Sequence, residues 1–150
     1  PLNTTVGLDR RQGYLDALTS RGVNVLEDLI VEGDFTEAGG FTAMQRLLPH
    51  RPDAVLVASD TMAMGALRAL RQAGRAVPAD VAVVGFDDLP GSAVSDPPLT
   101  TVRQPIRRLG GWAVEMLIAI LDHGPQPPRH LVASTELVIR ASCGANPITR

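Results

Sequence analysis

The chain has 150 residues, 45% of them hydrophobic and 20% charged, which suits one globular core and lies within the ordinary range for folded domains. A formal net charge of −2 gives no basic footprint for nucleic acid, and its 14 basic residues are all arginine. A single cysteine, Cys143, excludes an internal disulfide framework and a cysteine metal cage, while His50, His123 and His130 lack ligand spacing, so neither a metal nor another cofactor is expected.

The stretch TTVGLDRRQGYLDALTSRG opens on a threonine cap, sets Leu8, Leu15 and Leu18 at helical spacing and stops at Gly22, which predicts a helix. VLEDLIVEGD then reads as a strand, and Thr36 caps a second helix carrying Phe41, Met44, Leu47 and Leu48 that Pro49 and Pro52 end. DAVLVAS is a short apolar β-run. DTMAMGALRALRQAG follows with Met62, Ala66, Ala69, Leu70 and Ala73 along one stripe, closed by Gly74. VAVVGF repeats the strand. Two apolar strands separated by an amphipathic helix make a βαβ unit, and strands this apolar are expected to be parallel and covered on both faces. The fold class is therefore α/β, a doubly wound, mostly parallel sheet.

Parallel strands joined by right-handed crossovers deliver their C-terminal ends to one edge, where open α/β sheets bind ligands. DAVLVASD ends in Ser59 and Asp60, and DVAVVGFDD ends in Asp87 and Asp88, so both polar pairs are expected to face one crevice. A rim carboxylate accepts charge-assisted hydrogen bonds from hydroxyls or amines, which favours a sugar, another polyol or a nucleoside. Each residue also has a plainer use. Asp60, just before a helix, is expected to cap it, and Asp88, before Leu-Pro-Gly, to make a turn. Asp87 is assigned to ligand. Ser59 is either a contact or a filler beside the cap, Phe35 either core or the floor of a pocket, and Arg10 and Arg11 are solvated unless the fold turns one inward.

RRQGYLDAL, EGDFTEAGGFTAMQRLL, PDAVLVASDTMAMGALRALRQAGRAVPADVAVVGFDDLP, DPPLTTVRQPIRRLGGWAVEMLI and STELVIRASC together resemble the C-terminal portion of a LacI/GalR-family transcriptional regulator, in order and over nearly the whole chain. The resemblance implies a two-lobed effector-binding core like that of periplasmic sugar-binding proteins. Residues 1–104 and 131–150 would form the C-terminal lobe, and residues 105–130 a crossover and one helix of an N-terminal lobe whose remainder lies outside this chain. It places effector contacts on Arg10, Phe35, Ser59 and Asp87, with Thr5 and the neighbouring Thr4 contributing from the connecting loop. Sugar-responsive members often carry asparagine where this chain has Ser59, which reaches less far and lacks an amide donor. The implied partners are a small-molecule effector, a second copy in a homodimer, and DNA only through a helix-turn-helix outside this chain.

Helix IRRLGGWAVEMLIAILDHG keeps Ile106, Leu109, Ala113, Met116, Leu117 and Ile120 on one side, yet Trp112, Val114, Ile118 and Leu121 spread apolar surface around the rest. A helix apolar on more than one face must be buried from several directions. In isolation it is expected to pack on a second copy or leave an apolar patch. The chain opens at PLNTT without methionine and is expected to be a piece of a longer protein. No run reaches the roughly 18 apolar residues of a membrane span, and a cytoplasmic setting is expected. Catalysis is not. No nucleophile elbow, P-loop or dinucleotide fingerprint occurs, and adjacent acids at a strand end point apart. The sequence thus favours the effector-sensing part of a transcriptional regulator, with a periplasmic-type solute-binding protein as the alternative.

Overall fold

A computed structural model describes residues 1–145 of the chain. Helix α1 (Thr5–Thr19) is followed by a 3-10 turn at Glu27–Leu29, and helix α2 (Glu37–Leu47) by another at Leu48–His50. Then come β1 (Ala54–Leu56), α3 (Asp60–Gln72), β2 (Ala82–Asp87), α4 (Pro90–Val94), β3 (Thr100–Arg103), α5 (Ile106–His123), β4 (Glu136–Val138) and a last 3-10 turn at Ala141–Cys143. The sheet order is β1-β2-β3-β4. The first three strands are parallel and β4 is antiparallel to β3, so the fold is α/β with a mostly parallel sheet.

Local chemistry starts each long helix of the core. The Thr36 hydroxyl accepts from the Gly39 amide at 2.9 Å, and the Ser59 hydroxyl accepts from the Met62 amide at 3.2 Å. The cap of α3 is therefore Ser59 and not Asp60. Ser59 holds the extended backbone that a cap requires, φ −157° and ψ 155°, and Asp60 is already the first helical residue. That shift of one position frees the Asp60 carboxylate for other work.

Register explains the core. Val55 pairs with Val83, and Gly85 with Thr101, so Val55, Val57, Val83, Gly85 and Thr101 lie on one face of the sheet. Helix α3 lays Met62, Ala66, Ala69 and Leu70 against that face, and α2 adds Met44 and Leu47. The opposite face is less covered: Leu56 is 51% exposed and Val84 is only partly buried. Residues 140–143 cover it near β3, where the Ser142 hydroxyl accepts from the Thr100 amide at 2.8 Å and donates to the Val83 carbonyl at 2.6 Å.

Helices α2 and α3 approach closely because glycines face each other's backbone. A Cβ on Gly65 would collide with the Glu37 carbonyl, and one on Gly40 with the Met62 carbonyl. Both obstacles are main chain and cannot rotate away. Gly65→Ala is therefore expected to lower stability by about 2 kcal/mol through separation of the two helices, as measured by urea denaturation, whereas Gly91→Ala, which meets nothing within 4 Å, serves as the neutral control.

Two expectations need correction. The strand predicted from VLEDLIVEGD does not form: the Glu27–Leu29 turn interrupts it, and the extended residues on either side pair with no strand among the described residues, where β1 is the edge of the sheet. An extended segment without a ladder partner cannot satisfy its backbone as a strand does, and an acidic pair, Glu27 and Asp28, lies in the turn. Phe35 consequently stands on a loop, at φ 63°, and not at a strand end. The expected C-terminal segment 131–150 is described only to residue 145.

Helix α5 has no buried residue. Ile106, Val114, Leu117, Ile118, Ile120 and Leu121 are all exposed, the last at 73%, so apolar surface surrounds the helix as its sequence implies.

Candidate functional site

Helix α1, the Phe35 loop, the start of α3 and the end of β2 meet in an open cleft of about 240 Å³, lined by Val6, Arg10, Phe35, Ser59, Thr61 and Asp87. Topology brings them together. β1 and β2 run parallel, so the segment after β1 that holds Ser59 and the last residue of β2, Asp87, emerge at the same sheet edge. The volume is below the range of about 300–1,000 Å³ that encloses a small ligand. An open cleft of this size does not by itself shut out water.

Arg10 is turned inward, not solvated. Its guanidinium donates to the Ala58 carbonyl and, at 3.1 Å, to Asp87 Oδ1, and it lies 4.0 Å from the centroid of the Phe86 ring and 5.8 Å from that of Phe35. Two rings, a carboxylate and a carbonyl thus hold a planar cation at the wall of the cleft. Asp87 Oδ1 also accepts from Gln104 Nε2 at 2.7 Å. The pair is largely shielded, with side-chain exposures of 17% for Arg10 and 22% for Asp87. Arg11 faces away, to Glu27 Oε2 at 3.3 Å.

Of the residues singled out in the sequence, Arg10, Phe35, Ser59 and Asp87 line this one cleft, and Thr5 does not. Thr4 is the cap of α1, its hydroxyl accepting from the Gly7 amide at 3.1 Å, and Thr5 is the first helical residue, exposed. Sequence reasoning missed Val6, Thr61 and Gln104. Gln104 follows the last residue of β3, so the topological rule that selects Ser59 and Asp87 also covered it.

Beneath the cleft, Asp60 is 1% exposed and forms no ion pair among the described residues. Its Oδ1 accepts from the Thr101 hydroxyl at 2.6 Å, and its Oδ2 accepts from the Ser92 hydroxyl at 2.6 Å and the Leu89 amide at 2.9 Å. Three donors and the positive end of α3 replace the water the carboxylate has lost. A Cβ on Gly85 would run into this carboxylate, so glycine at that point of β2 keeps the room it needs. The network ties α3, β3 and α4 together under the site.

Asp88 turns away from Asp87. Its Oδ2 accepts from Arg103 Nε at 2.6 Å and its Oδ1 from Arg140 Nη2 at 2.6 Å. Burial raises its pKa, but the hydrogen bonds and charges of Arg103 and Arg140 outweigh burial and hold the carboxyl below its ordinary value near 3.8. Stability from this group is fully present above the unfolded value and is lost as the pH falls through the lower folded value. Denaturation midpoints followed downward from about pH 5 should fall less steeply for Asp88→Asn than for the parent protein; parallel profiles would contradict this.

Among the described residues, no group of three or more His, Cys, Asp or Glu is placed to hold a metal ion, and no helix is long and apolar enough to cross a membrane.

Residues 3–143 match the sequence family described as periplasmic binding protein-like domain. The chain is 42% identical over 144 residues to the HTH-type transcriptional regulator CelR of Thermobifida fusca, covering 95% of this chain and 42% of the relative. It is 38% identical over 149 residues to the HTH-type transcriptional repressor PurR of Edwardsiella ictaluri, covering 98% and 44%. It is 44% identical over 120 residues to the ribose operon repressor of Escherichia coli, covering 79% and 36%. The chain thus spans less than half the length of these curated relatives. Among solved structures, it superposes on the transcriptional regulator CelR–cellobiose complex with a TM-score of 0.91 at 41% identity, over 95% of this chain and 44% of that one. On the lac repressor dimer bound to operator and the anti-inducer ONPF, the TM-score is 0.83 at 34% identity, over 95% and 43%.

Proposed function

This chain belongs to the periplasmic binding protein-like domain family, in the form found in LacI-type regulators, and on that premise we propose that it is the effector-sensing portion of a cytoplasmic transcriptional regulator that responds to a sugar-like or nucleoside-like ligand. The observation that carries this is the convergence of Arg10, Ser59, Asp87 and the Phe35 ring on one cleft at the C-terminal edge of the parallel strands. A guanidinium, a carboxylate, a hydroxyl and an aromatic face form the donor and acceptor set that suits a polyhydroxylated ring.

In this account Arg10 and Asp87 grip ligand hydroxyls, Phe35 packs on a ring face and Ser59 adds a short hydroxyl contact. Residues 105–130 belong to a second lobe that closes the cleft, which is why α5 carries apolar side chains with nothing to cover them. Closure around ligand favours one arrangement of the lobes. The difference in affinity between arrangements is what shifts the attached DNA-binding parts of a dimer. The names of the relatives, regulators and repressors, weigh against a periplasmic solute carrier and against an enzyme.

The test is a melting-temperature screen of the full-length protein with mono- and disaccharides, cellobiose included, and with nucleosides. A ligand at a hundred times its Kd stabilises the folded state by about 2.7 kcal/mol, so one chemical class is expected to raise the melting temperature by several degrees. No rise with any polyhydroxylated compound would contradict the proposal.

A further inference from the structure

We propose that Asp88 is a positioning residue for the ligand cleft: by gripping Arg103 and Arg140 it fixes a strained turn at the end of β2 and so aims the Asp87 carboxylate at Arg10. The inference rests on the reading of the cleft given above and assigns a role to a residue that does not line it.

Two successive residues that are not glycine leave the usual backbone region, Asp87 at φ 119° and Asp88 at φ 58°. Such angles are strained for residues other than glycine and persist only where the surroundings over-determine them. Here they do. The Asp88 carboxylate, with only 10% of its side chain exposed, receives both arginines at 2.6 Å, and its amide lies 3.4 Å from the Thr101 hydroxyl. Arg140 is fastened in its turn, since it donates to the Leu99 carbonyl at 2.8 Å and its own amide donates to the Thr100 hydroxyl at 2.8 Å. The turn cannot relax without breaking this set.

What the turn achieves is a division of labour. In a regular strand continuing past Asp87, the two carboxylates would alternate across the sheet with no fixed aim beyond its end. Instead, Asp88 points to the β3 and β4 side, and Asp87 is left facing Arg10 and Gln104. The grip also falls where the chain passes out of and back into the sheet. Arg103 is the last residue of β3, before α5, and Arg140 lies just after β4. One carboxylate thereby ties both passages to the strand that bears Asp87.

Crystal structures of the full-length protein carrying Asp88→Gly test this. Glycine adopts φ 58° without strain, so the variant keeps a backbone that can fold while losing the grip. The expected result is an intact sheet in which Asp87 has left hydrogen-bond distance of Arg10 and Gln104, with hydrogen exchange at the Arg10 guanidinium faster by roughly tenfold or more, as for a freed local contact. Asp88→Asn is the second variant: isosteric, it offers one accepting oxygen to two arginines, and the same displacement is expected. Either variant, folded and with Asp87 still on both partners and Arg10 exchange unchanged, overturns the proposal. Neither readout uses ligand, so its failure is separate from a failure of the cleft to bind sugar, which Asp87→Ala tests directly.

Discussion

Asp60→Ala is expected to destabilise the full-length protein by about 3–4 kcal/mol, an effect large enough to threaten folding in a domain of ordinary stability. The substitution strands two buried hydroxyls, of Ser92 and Thr101, and removes the acceptor of the Leu89 amide. Each unsatisfied buried donor costs about 1–3 kcal/mol, and part of the sum is returned because a buried carboxylate no longer has to be desolvated. Removing the two hydroxyl partners as well should cost less than the single substitutions suggest. Urea denaturation of Asp60→Ala, Ser92→Ala, Thr101→Val and the triple variant measures this: strong non-additivity is expected, with the triple variant well short of the summed losses. Simple additivity would mean that the network is not the unit described.

The second large effect is on binding. Asp87→Ala is expected to weaken the sugar or nucleoside found by the thermal screen by about 2 kcal/mol or more, roughly thirtyfold in Kd, since a shielded carboxylate that accepts from ligand hydroxyls makes charge-assisted bonds. Arg10→Ala should match it. The two are in contact at 3.1 Å, so the double variant should lose less than the two losses added together. Calorimetric titration measures all three. Full affinity in both single variants would show that the ligand lies elsewhere, whatever the thermal screen reports.

The two effects rest on different residues, and these differ in how far the sequence disclosed them. The βαβ unit was legible because α3 holds its apolar side chains at helical spacing and the flanking runs are short and apolar, as strands are, although β1 is covered on one face only and leaves Leu56 exposed. Right-handed connection then put Ser59 and Asp87 at one edge without further information. Arg10 was harder. An arginine on a helix is solvated by default, and its inward turn depends on Phe86, Asp87 and the Ala58 carbonyl, which are distant in sequence. The family resemblance, not the periodicity, singled it out.

Ser59 took the capping role expected of Asp60 for a local reason. Both residue types make good caps, and which one serves is decided by where the backbone changes from extended to helical, a boundary that spacing locates only to within a residue or two. The Asp60 network itself left no mark in the sequence, because Ser92 and Thr101 are 32 and 41 positions away and ordinary in their own surroundings. The strand predicted at VLEDLIVEGD failed differently. Its side chains suit an extended segment, but a strand is a property of two segments, and the described chain supplies no neighbour for it.

The reading of the cleft depends on Arg10 and Asp87 acting together upon a ligand at the C-terminal edge of β1 and β2, and a crystal structure of the full-length protein with its best-stabilising sugar or nucleoside tests that most directly. The account predicts ligand hydroxyls within hydrogen-bond distance of both side chains, with a ring face against Phe35 and residues of a second lobe closing over it. A ligand lodged away from these side chains, with Asp87 still paired only to Arg10 and Gln104, would contradict it.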